Sequence, residues 1–219
     1  MMKVAIAGAG NVGRAIAREL ISNGHQVLLI DKDPKALKME SVPTAEWLLA
    51  DSCEISSLDT AQLVNCQVLV AATGDDKVNL VTSLLAKTEY GVPRVVARVN
   101  HPKNEWMFDQ SWGVDVAVST PRIITALVEE AVSVGDVVRL FSLHGGKTNL
   151  VELTLPDNSP CNGKTVEEIS LPRDVALVAI VRERSVIRPS DHDTFAAGDE
   201  LIFIANESSE IELKSCFVS

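Results

Sequence analysis

The sequence lacks long hydrophobic runs, clusters of basic residues and paired cysteines, and each absence removes a class of protein. Apolar runs such as VALVAIV fall far short of the roughly 20 residues that span a bilayer. The 20 basic and 30 acidic residues give a net charge of −10, and no Lys and Arg cluster could line a phosphate backbone. Nucleic acid is therefore not an expected partner. The four cysteines form no CxxC pair, which argues against a zinc site or a disulfide framework.

The first half of the chain alternates short apolar runs with helical patterns, as α/β proteins do. Its strand candidates are apolar throughout, so we expect a sheet covered on both faces, which means a parallel, doubly wound sheet of the Rossmann-like kind. The expected strands are KVAIAGA, QVLLID, AEWLLA, VLVAATG, RVVARVN and VDVAVS, and the expected helices are 12–21, one starting at Asp33-Pro34, 59–64, 76–87 and 102–111. This domain is assigned to residues 1–119.

After residue 119 the pattern changes. Thr120 and Pro121 predict a helix start, and a linker helix is assigned to residues 120–136. Its apolar stripe suits either the core of its own chain or a second copy of the chain. A smaller α+β domain of 137–219 is expected to follow, with strands VVRLFSL, NLVELTL, VALVAIVRER, VIR and ELIFIA and a short helix TVEEIS. The stripe consists of Ile123, Ile124, Leu127, Val128, Ala131 and Val132.

The first strand ends in a glycine motif, GxGxxG, formed by Gly8, Gly10 and Gly13. The motif follows a strand and opens a helix, and this is the context in which such glycines allow a tight turn and a close approach of the backbone to phosphates. The helix start offers unpaired N–H groups and a positive dipole end. Asp31 closes the next strand, where a carboxylate can accept both ribose hydroxyls and would repel a 2′-phosphate. The motif predicts NAD(H) or an adenine nucleotide as ligand.

Polar residues follow two more of the expected strands, where open α/β sheets bind ligands. Asp51 follows the third strand, and Thr73 and Gly74 follow the fourth. Asp75 or Asp76 could equally be a helix N-cap, and Arg98 at the end of the fifth strand could equally form a surface ion pair. The candidate ligand-binding residues are Gly8, Gly10, Asn11, Val12, Gly13, Asp31, Lys32, Asp51, Ser52, Thr73, Gly74, Asp75, Asn79 and Arg98.

The rest of the chain offers little for a dehydrogenase, which needs a proton donor and a substrate pocket. The single tyrosine, Tyr90, is followed four residues later by Arg94, so no Tyr-x-x-x-Lys pair is present. The four histidines lie in candidate turns and loops without a partner pattern. Because no catalytic groups accompany the nucleotide site, we interpret the nucleotide as a bound ligand and not as a reacting cofactor. We expect a binding protein without catalytic residues or a bound metal. A small NAD-dependent oxidoreductase remains the alternative.

The segments GAGNVGR, LLID, ATGDDKVNL, VARVN, NGKTVEEIS and AAGDELIFI together resemble the TrkA-type regulators of potassium transport, over nearly the whole chain. These proteins join an RCK N domain, a Rossmann-like nucleotide sensor, to a TrkA C domain. The resemblance implies a cytoplasmic regulatory subunit that binds NAD(H) or ATP/ADP, attaches peripherally to the inner membrane face and gates a Trk/Ktr-type membrane potassium transporter subunit. It also implies homo-oligomers, in which dimers assemble into a ring and the linker helix is a candidate dimer contact.

The resemblance places the phosphates at the glycine loop and near Arg98, the ribose at Asp31 and the adenine near Asp51. The sequence departs from many relatives in two places: Asn11 stands where they carry Arg or another large residue, and Ala50 stands where they carry Gly. Some relatives bind cyclic di-AMP in the C domain. Here Arg182 and Arg188 are candidates for gripping such an anion, or are ordinary surface arginines.

Overall fold

The computed structural model describes residues 1–132, 134–143 and 148–218, apart from the side chains of Glu130, Ala131 and Ser142. The chain divides into two compact units, Met1–Pro121 and Arg122–Ser219. Over the described ranges, no helix is both long enough and apolar enough to cross a membrane.

The first unit is built on a six-stranded, wholly parallel sheet with the order β3-β2-β1-β4-β5-β6. This confirms the predicted Rossmann-like sheet, and the strand order reverses direction between β1 and β4. The strands are β1 (Lys3–Ala7), β2 (Gln26–Asp31), β3 (Glu46–Leu49), β4 (Val68–Ala71), β5 (Arg94–Val99) and β6 (Val116–Ser119).

Both faces of this sheet are covered, which explains why its strands are apolar throughout. In β2, Leu28 and Ile30 pack on one side in a cluster that includes Leu58. Leu29 lies between them in the chain and packs on the opposite side in a cluster that includes Ala17. Successive strand residues point to opposite faces, so a strand with two buried faces needs apolar side chains at every position.

The helices of the first unit are α1 (Asn11–Ser22), α2 (Ile55–Thr60) and α3 (Asp76–Thr88). α1 and α3 lie where they were predicted, whereas α2 begins four residues earlier than expected. Gln62 adopts a left-handed conformation with φ 49°, which ends the regular helix, and Leu63–Asn65 forms a 3₁₀ turn.

Two predicted helices are 3₁₀ turns instead. Asp33 accepts a hydrogen bond from the Lys35 N–H as an N-cap should, but the helix stops after Pro34–Ala36. The segment 102–111 forms the separate turns Pro102–Met107 and Gln110–Trp112. Correct start signals therefore did not guarantee a full helix, because a cap satisfies the first turn only.

The second unit holds a five-stranded antiparallel sheet with the order β10-β9-β11-β8-β7. The predicted helix TVEEIS is a single 3₁₀ turn, Val166–Glu168, closed by a capping box between Thr165 and Glu168. A C-terminal helix, α5 (Glu210–Phe217), was not predicted, and its Phe217 packs edge-on against Phe195 at 5.5 Å. The strands are β7 (Val137–Leu143), β8 (Thr148–Thr154), β9 (Val175–Arg182), β10 (Ser185–Ile187) and β11 (Glu200–Asn206).

Helix α4 (Thr120–Val132) carries the predicted apolar stripe, and most of that stripe is open to solvent. Leu127 is 55% exposed, Val128 56% and Val132 75%. The interpretation of the stripe as core of its own chain is therefore wrong for these positions, because their side chains contact too little of the chain to be buried. The side chain of Ala131 is outside the described part of the chain.

Candidate functional site

A cavity of about 600 Å³ lies at the carboxyl ends of the strands of the first unit. It opens between β1 and β4, where the strand order reverses and where ligands bind in open α/β sheets. Of the fourteen predicted residues, twelve line it: Gly8, Gly10, Asn11, Val12, Asp31, Lys32, Asp51, Ser52, Thr73, Gly74, Asp75 and Arg98. The other two, Gly13 and Asn79, are buried behind the wall of the cavity.

The three motif glycines have different reasons to be glycine. A Cβ on Gly8, which has φ +105°, would lie 2.9 Å from the backbone of Ala72 and Thr73. A Cβ on Gly13 would lie 1.9 Å from the carbonyl oxygen of Gly8. At Gly10 no atom from elsewhere in the described part of the chain lies within 4 Å of that position. Gly8 and Gly13 are therefore required by the packing of the fold, whereas packing against the described residues does not require glycine at position 10.

The N-terminus of α1 faces this open space without a side-chain cap. Gly10 is the N-cap residue, the first turn contains no acidic residue, and the first intrahelical bond runs from the Arg14 N–H to the Gly10 carbonyl. The N–H groups that precede it have no partner within the helix. Together with the dipole of the helix, they form a site suited to an anion such as phosphate.

Asp31 ties the glycine loop to the end of β2. One of its carboxylate oxygens accepts the Ala9 N–H at 2.8 Å, and the other accepts the Asp33 N–H at 2.9 Å. Each oxygen has a second lone pair. The carboxylate is therefore held in a fixed orientation on the cavity wall and can accept further hydrogen bonds from a ligand.

Arg14 holds the same loop from behind, and it was not among the residues expected from the sequence to form the site. The residue is 8% exposed, and its guanidinium donates to the Ala9 carbonyl, to the Asn11 side chain at 2.7 Å and to the Ala36 carbonyl at 3.4 Å. An i to i+3 spacing brings Asn11 and Arg14 to one face of α1. This spacing is the only signal that could have identified Arg14.

Asn79 stands behind the cavity wall and shapes it. Its side-chain oxygen accepts the Thr73 N–H at 2.9 Å and the Thr73 hydroxyl at 2.6 Å, and its amide donates to the Arg98 carbonyl at 2.9 Å. The residue is completely buried. In this structure Asn79 fixes the end of β4 against the end of β5, and it does not reach the cavity.

Arg98 presents a guanidinium without a partner among the described residues. It lines the cavity, and its Nε is buried without a hydrogen-bond acceptor. The suggestion of a surface ion pair is therefore wrong for the described part of the chain. Asp75, by contrast, does act as the N-cap of α3, because it accepts the Lys77 N–H at 2.8 Å while also lining the cavity. For Arg98, a buried N–H donor without an acceptor is costly unless a ligand supplies the acceptor.

The far wall carries an ion pair. Lys32 Nζ lies 3.3 Å from Asp51 Oδ2, and the Cys53 N–H donates to Asp51 Oδ1 at 3.0 Å. The Cys53 hydrogen bond, aided by Lys32, lowers the pKa of Asp51, and the hydrogen bond to Asp51 raises the pKa of Lys32. Ser52 is turned away from the opening, and its hydroxyl pairs with that of Thr82 at 2.9 Å.

Apolar residues that the sequence did not single out as ligand contacts complete the lining: Ile30, Ala50, Ala72 and Val78. They follow or flank the polar positions at the strand ends, and they give a flat ring such as adenine an apolar surface.

In the second unit, the guanidinium of Arg182, a candidate for binding an anion, is already bonded within the protein. Its guanidinium makes two hydrogen bonds of 2.7 Å to the carboxylate of Asp199 and one of 2.7 Å to the Thr194 carbonyl. Asp199 is fully buried, so this pair fastens the β9 end to the turn before β11. Arg188 is exposed.

The fold and the cavity define a protein class: a Rossmann-like domain with a glycine-rich loop after β1 and an acidic residue at the end of β2, followed by a small antiparallel β domain. Residues 4–120 match the TrkA-N domain family and residues 150–217 match the TrkA-C domain family. The chain belongs to the TrkA family of Trk system potassium uptake proteins.

Curated relatives agree with this assignment. The chain is 57% identical over 212 residues to the Trk system potassium uptake protein TrkA of Mycobacterium tuberculosis, covering 97% of this chain and 96% of that one. It is 32% identical over 189 residues to the TrkA homolog of Methanothermobacter thermautotrophicus, covering 86% of each chain.

Solved structures share the fold at lower identity. The GsuK channel bound to NAD matches with a TM-score of 0.64 and 16% identity, over 98% of this chain and 39% of that one. The GsuK structure bound to ADP matches with a TM-score of 0.51 and 24% identity, over 59% and 34%. The Kef C-terminal domain of Shewanella denitrificans in its AMP-bound form matches with a TM-score of 0.51 and 23% identity, over 59% and 79%.

Proposed function

We propose that this chain is a nucleotide-sensing regulatory subunit of a Trk-type potassium uptake system. The observation that carries the proposal is the cavity, in which a carboxylate for ribose, an uncapped helix start for phosphate and an unpaired arginine converge on about 600 Å³ of space. Relatives named as Trk system proteins support potassium uptake as the process. Fold neighbours bound to NAD, ADP and AMP support an adenine nucleotide, as NAD(H) or ATP/ADP, as the ligand.

We assign the nucleotide a signalling role, not a chemical one. The residues that line the described cavity include no histidine, tyrosine or cysteine, which are common proton donors and nucleophiles. A ligand that favours one conformation shifts the population toward it by its difference in affinity for the two. We propose that this shift gates a membrane pore subunit, to which the protein attaches from the cytoplasmic side.

A thermal-shift series with NAD, NADH, NADPH, AMP, ADP, ATP and cyclic di-AMP tests the ligand. A ligand at 100 times its dissociation constant adds about 2.7 kcal/mol to the free energy of unfolding. We expect nucleotides with a free 2′-hydroxyl to stabilise the protein and NADPH to do so weakly, because Asp31 repels a 2′-phosphate.

Replacing Asp31 with alanine should weaken binding of the stabilising nucleotide by at least about tenfold, because two charge-assisted hydrogen bonds to ribose are lost. Asp33→Ala is the matched control, since it removes the same charge two residues further along the chain, at a position that does not line the cavity. A variant that binds as tightly as the wild type contradicts the role of Asp31. A change in nicotinamide absorbance that depends on an added substrate would favour the oxidoreductase alternative instead.

The exposed stripe of α4 supports assembly of several copies, as dimers that build a ring. Ile124, Leu127 and Val128 are each more than half exposed on consecutive turns of one helix, and an apolar strip of this kind is commonly covered by a partner. We propose that two copies pair along it.

Leu127→Asp should convert the oligomer to monomers in light scattering, because a carboxylate at the centre of an apolar interface costs several kcal/mol to desolvate. Thr125→Asp adds the same charge to an exposed α4 position off the stripe and should leave the mass unchanged. An unchanged mass for Leu127→Asp would show that α4 is not the interface.

A further inference from the structure

Arg14 is a buried cation beneath the glycine loop. Its three acceptors are neutral oxygens: the backbone carbonyls of Ala9 and Ala36 and the side-chain oxygen of Asn11. Across the described ranges, no carboxylate lies within salt-bridge distance of its guanidinium, although the residue is only 8% exposed. A buried charge without a counter-ion in contact is unfavourable, so an anion bound at the loop would stabilise Arg14 in this position.

The bond to Ala9 also fixes one peptide plane of the loop. The Ala9 N–H is held by Asp31 at 2.8 Å, and the Ala9 carbonyl is held by Arg14 on the buried side of the loop. In a trans peptide the carbonyl and the following N–H point in opposite directions. The Gly10 N–H is therefore turned away from Arg14, and among the described residues no atom lies within 4 Å of a Cβ built on Gly10.

The bond to Asn11 extends the influence of Arg14 to the cavity. Asn11 is exposed and lines the cavity, and its side-chain oxygen accepts from Arg14 at 2.7 Å. Its carbonyl dipole is thereby turned toward the guanidinium, which leaves the amide group of the side chain free to donate. The buried Arg14 guanidinium, one turn along α1 from the glycine loop, thus orients two donors at the loop, the Gly10 N–H and the Asn11 side-chain amide.

We propose that Arg14 is a positioning and specificity-determining residue of this site. Through Arg14, the site selects ligands by the negative charge of their phosphates. This inference rests on the proposed nucleotide binding. Arg14 holds the Gly10 N–H and the Asn11 amide toward a phosphate and supplies the uncompensated positive charge that favours a diphosphate over a monophosphate, and a monophosphate over an unphosphorylated nucleoside.

The test is calorimetric titration of ADP, AMP and adenosine into wild type and Arg14→Gln. We expect Arg14→Gln to weaken ADP binding by about 20-fold and AMP by less, since charge-assisted contacts are the strong ones. Adenosine, which keeps the Asp31 contact but has no phosphate, should change by less than about twofold. The ADP dissociation constant should also depend less steeply on salt in Arg14→Gln, because one fixed charge near the ligand is gone.

Arg18→Gln is the matched control, because it removes the same charge from an exposed position one turn further along α1. Arg14→Lys keeps the charge but cannot reach three acceptors, so its ADP affinity should fall between those of wild type and Arg14→Gln. Asn11→Ala, at an exposed position, guards against a folding defect in the Arg14 variants and should weaken ADP binding without changing adenosine binding.

Equal losses for ADP and adenosine in Arg14→Gln would make Arg14 a purely structural residue and overturn the inference, as would ADP affinity equal to that of Arg18→Gln. Failure of the proposed function looks different, because wild type itself would then bind neither ADP nor AMP.

Discussion

Replacing Gly13 with alanine is expected to lower the free energy of unfolding of the first unit by about 3 kcal/mol, the upper part of the range for overpacking. Alanine is the better helix former by about 1 kcal/mol, so helix propensity alone predicts the opposite sign. The added Cβ would lie 1.9 Å from the Gly8 carbonyl oxygen. Gly8 has little freedom to move, because its N–H is bonded to the Ile30 carbonyl at 2.7 Å and its backbone runs against Ala72 and Thr73.

Tryptophan fluorescence is the appropriate probe, because all three tryptophans of the chain, Trp47, Trp106 and Trp112, lie in the first unit. We expect the melting temperature of Gly13→Ala to fall by about 10 °C.

Gly10→Ala is the matched variant, since Gly10 has φ −67° and an added Cβ would meet nothing within 4 Å in the part of the chain that the structure describes. Without ligand it should melt within about 2 °C of the wild type, as surface substitutions usually do. It should nevertheless bind ADP at least about tenfold more weakly, because the methyl group takes space that a phosphate needs. If Gly10→Ala bound ADP normally, or Gly13→Ala melted normally, the separate roles assigned to the two glycines would be wrong.

The contrast between Gly10 and Gly13 also shows how far sequence alone could go. The motif and Asp31 predicted the position of the cavity, because strand, glycine turn and helix follow one another in an order with few alternatives. The motif treats the three glycines alike, however. Only the packing in the structure separates them: Gly8 lies against Ala72 and Thr73 just after β4, and Gly13 lies against the Gly8 carbonyl, whereas Gly10 has no such neighbour among the described residues.

Residues that act from behind the site were the least predictable. Asn79 was placed among the ligand contacts, yet it is buried and holds Thr73 and Arg98 in position. Arg14 was not considered, although it contacts both the loop and Asn11. Asn79 acts through hydrogen bonds to the backbone of Thr73 and Arg98, which come together only when β4 and β5 pair. Arg14 acts within the glycine loop, and the i to i+3 spacing from Asn11 was its only trace in the sequence.

The prediction of the fold succeeded for segments with a clear apolar run or stripe, and it failed for short segments without one. Eleven strands and the long helices α1, α3 and α4 follow from apolar runs and stripes. The segment 102–111 was expected to be a helix but forms two 3₁₀ turns, of which the second ends at Gly113 with φ 74°. Helix α5 was missed because its eight residues carry only two buried side chains, Leu213 and Phe217.

Replacing Asp76 with alanine is expected to give the second large loss of stability. It is a buried carboxylate at the start of α3 that accepts four hydrogen bonds from the segment after β5. The donors are the Asn100 N–H at 2.7 Å, the Asn100 side chain at 3.0 Å, the His101 N–H at 3.0 Å and the Asn104 side chain at 2.8 Å. Asp76→Ala leaves these donors without their acceptor, and we expect a loss of about 3 kcal/mol in the free energy of unfolding.

Asp75→Ala serves as the control, because it removes the neighbouring carboxylate and a single cap bond, to the Lys77 N–H. Losing a cap of this kind costs about 1 kcal/mol. Urea unfolding followed by tryptophan fluorescence should therefore give Asp76→Ala a clearly lower free energy of unfolding than Asp75→Ala. Equal losses would mean that the bonds to the segment after β5 contribute little.

The effect of Asp76 should also depend on pH. Burial opposes its ionisation, but the hydrogen bonds from Asn100, Asn104 and His101 outweigh burial and hold its pKa below the ordinary 3.8. A carboxyl group with a lowered pKa in the folded state stabilises that state fully above the unfolded value and loses this contribution as the pH falls through the folded value. The difference in unfolding free energy between wild type and Asp76→Ala should thus be constant from pH 7 to about pH 5 and narrow below pH 3.8. A difference that stayed constant into the acid range would show that Asp76 stabilises the fold by its shape and not by its charge.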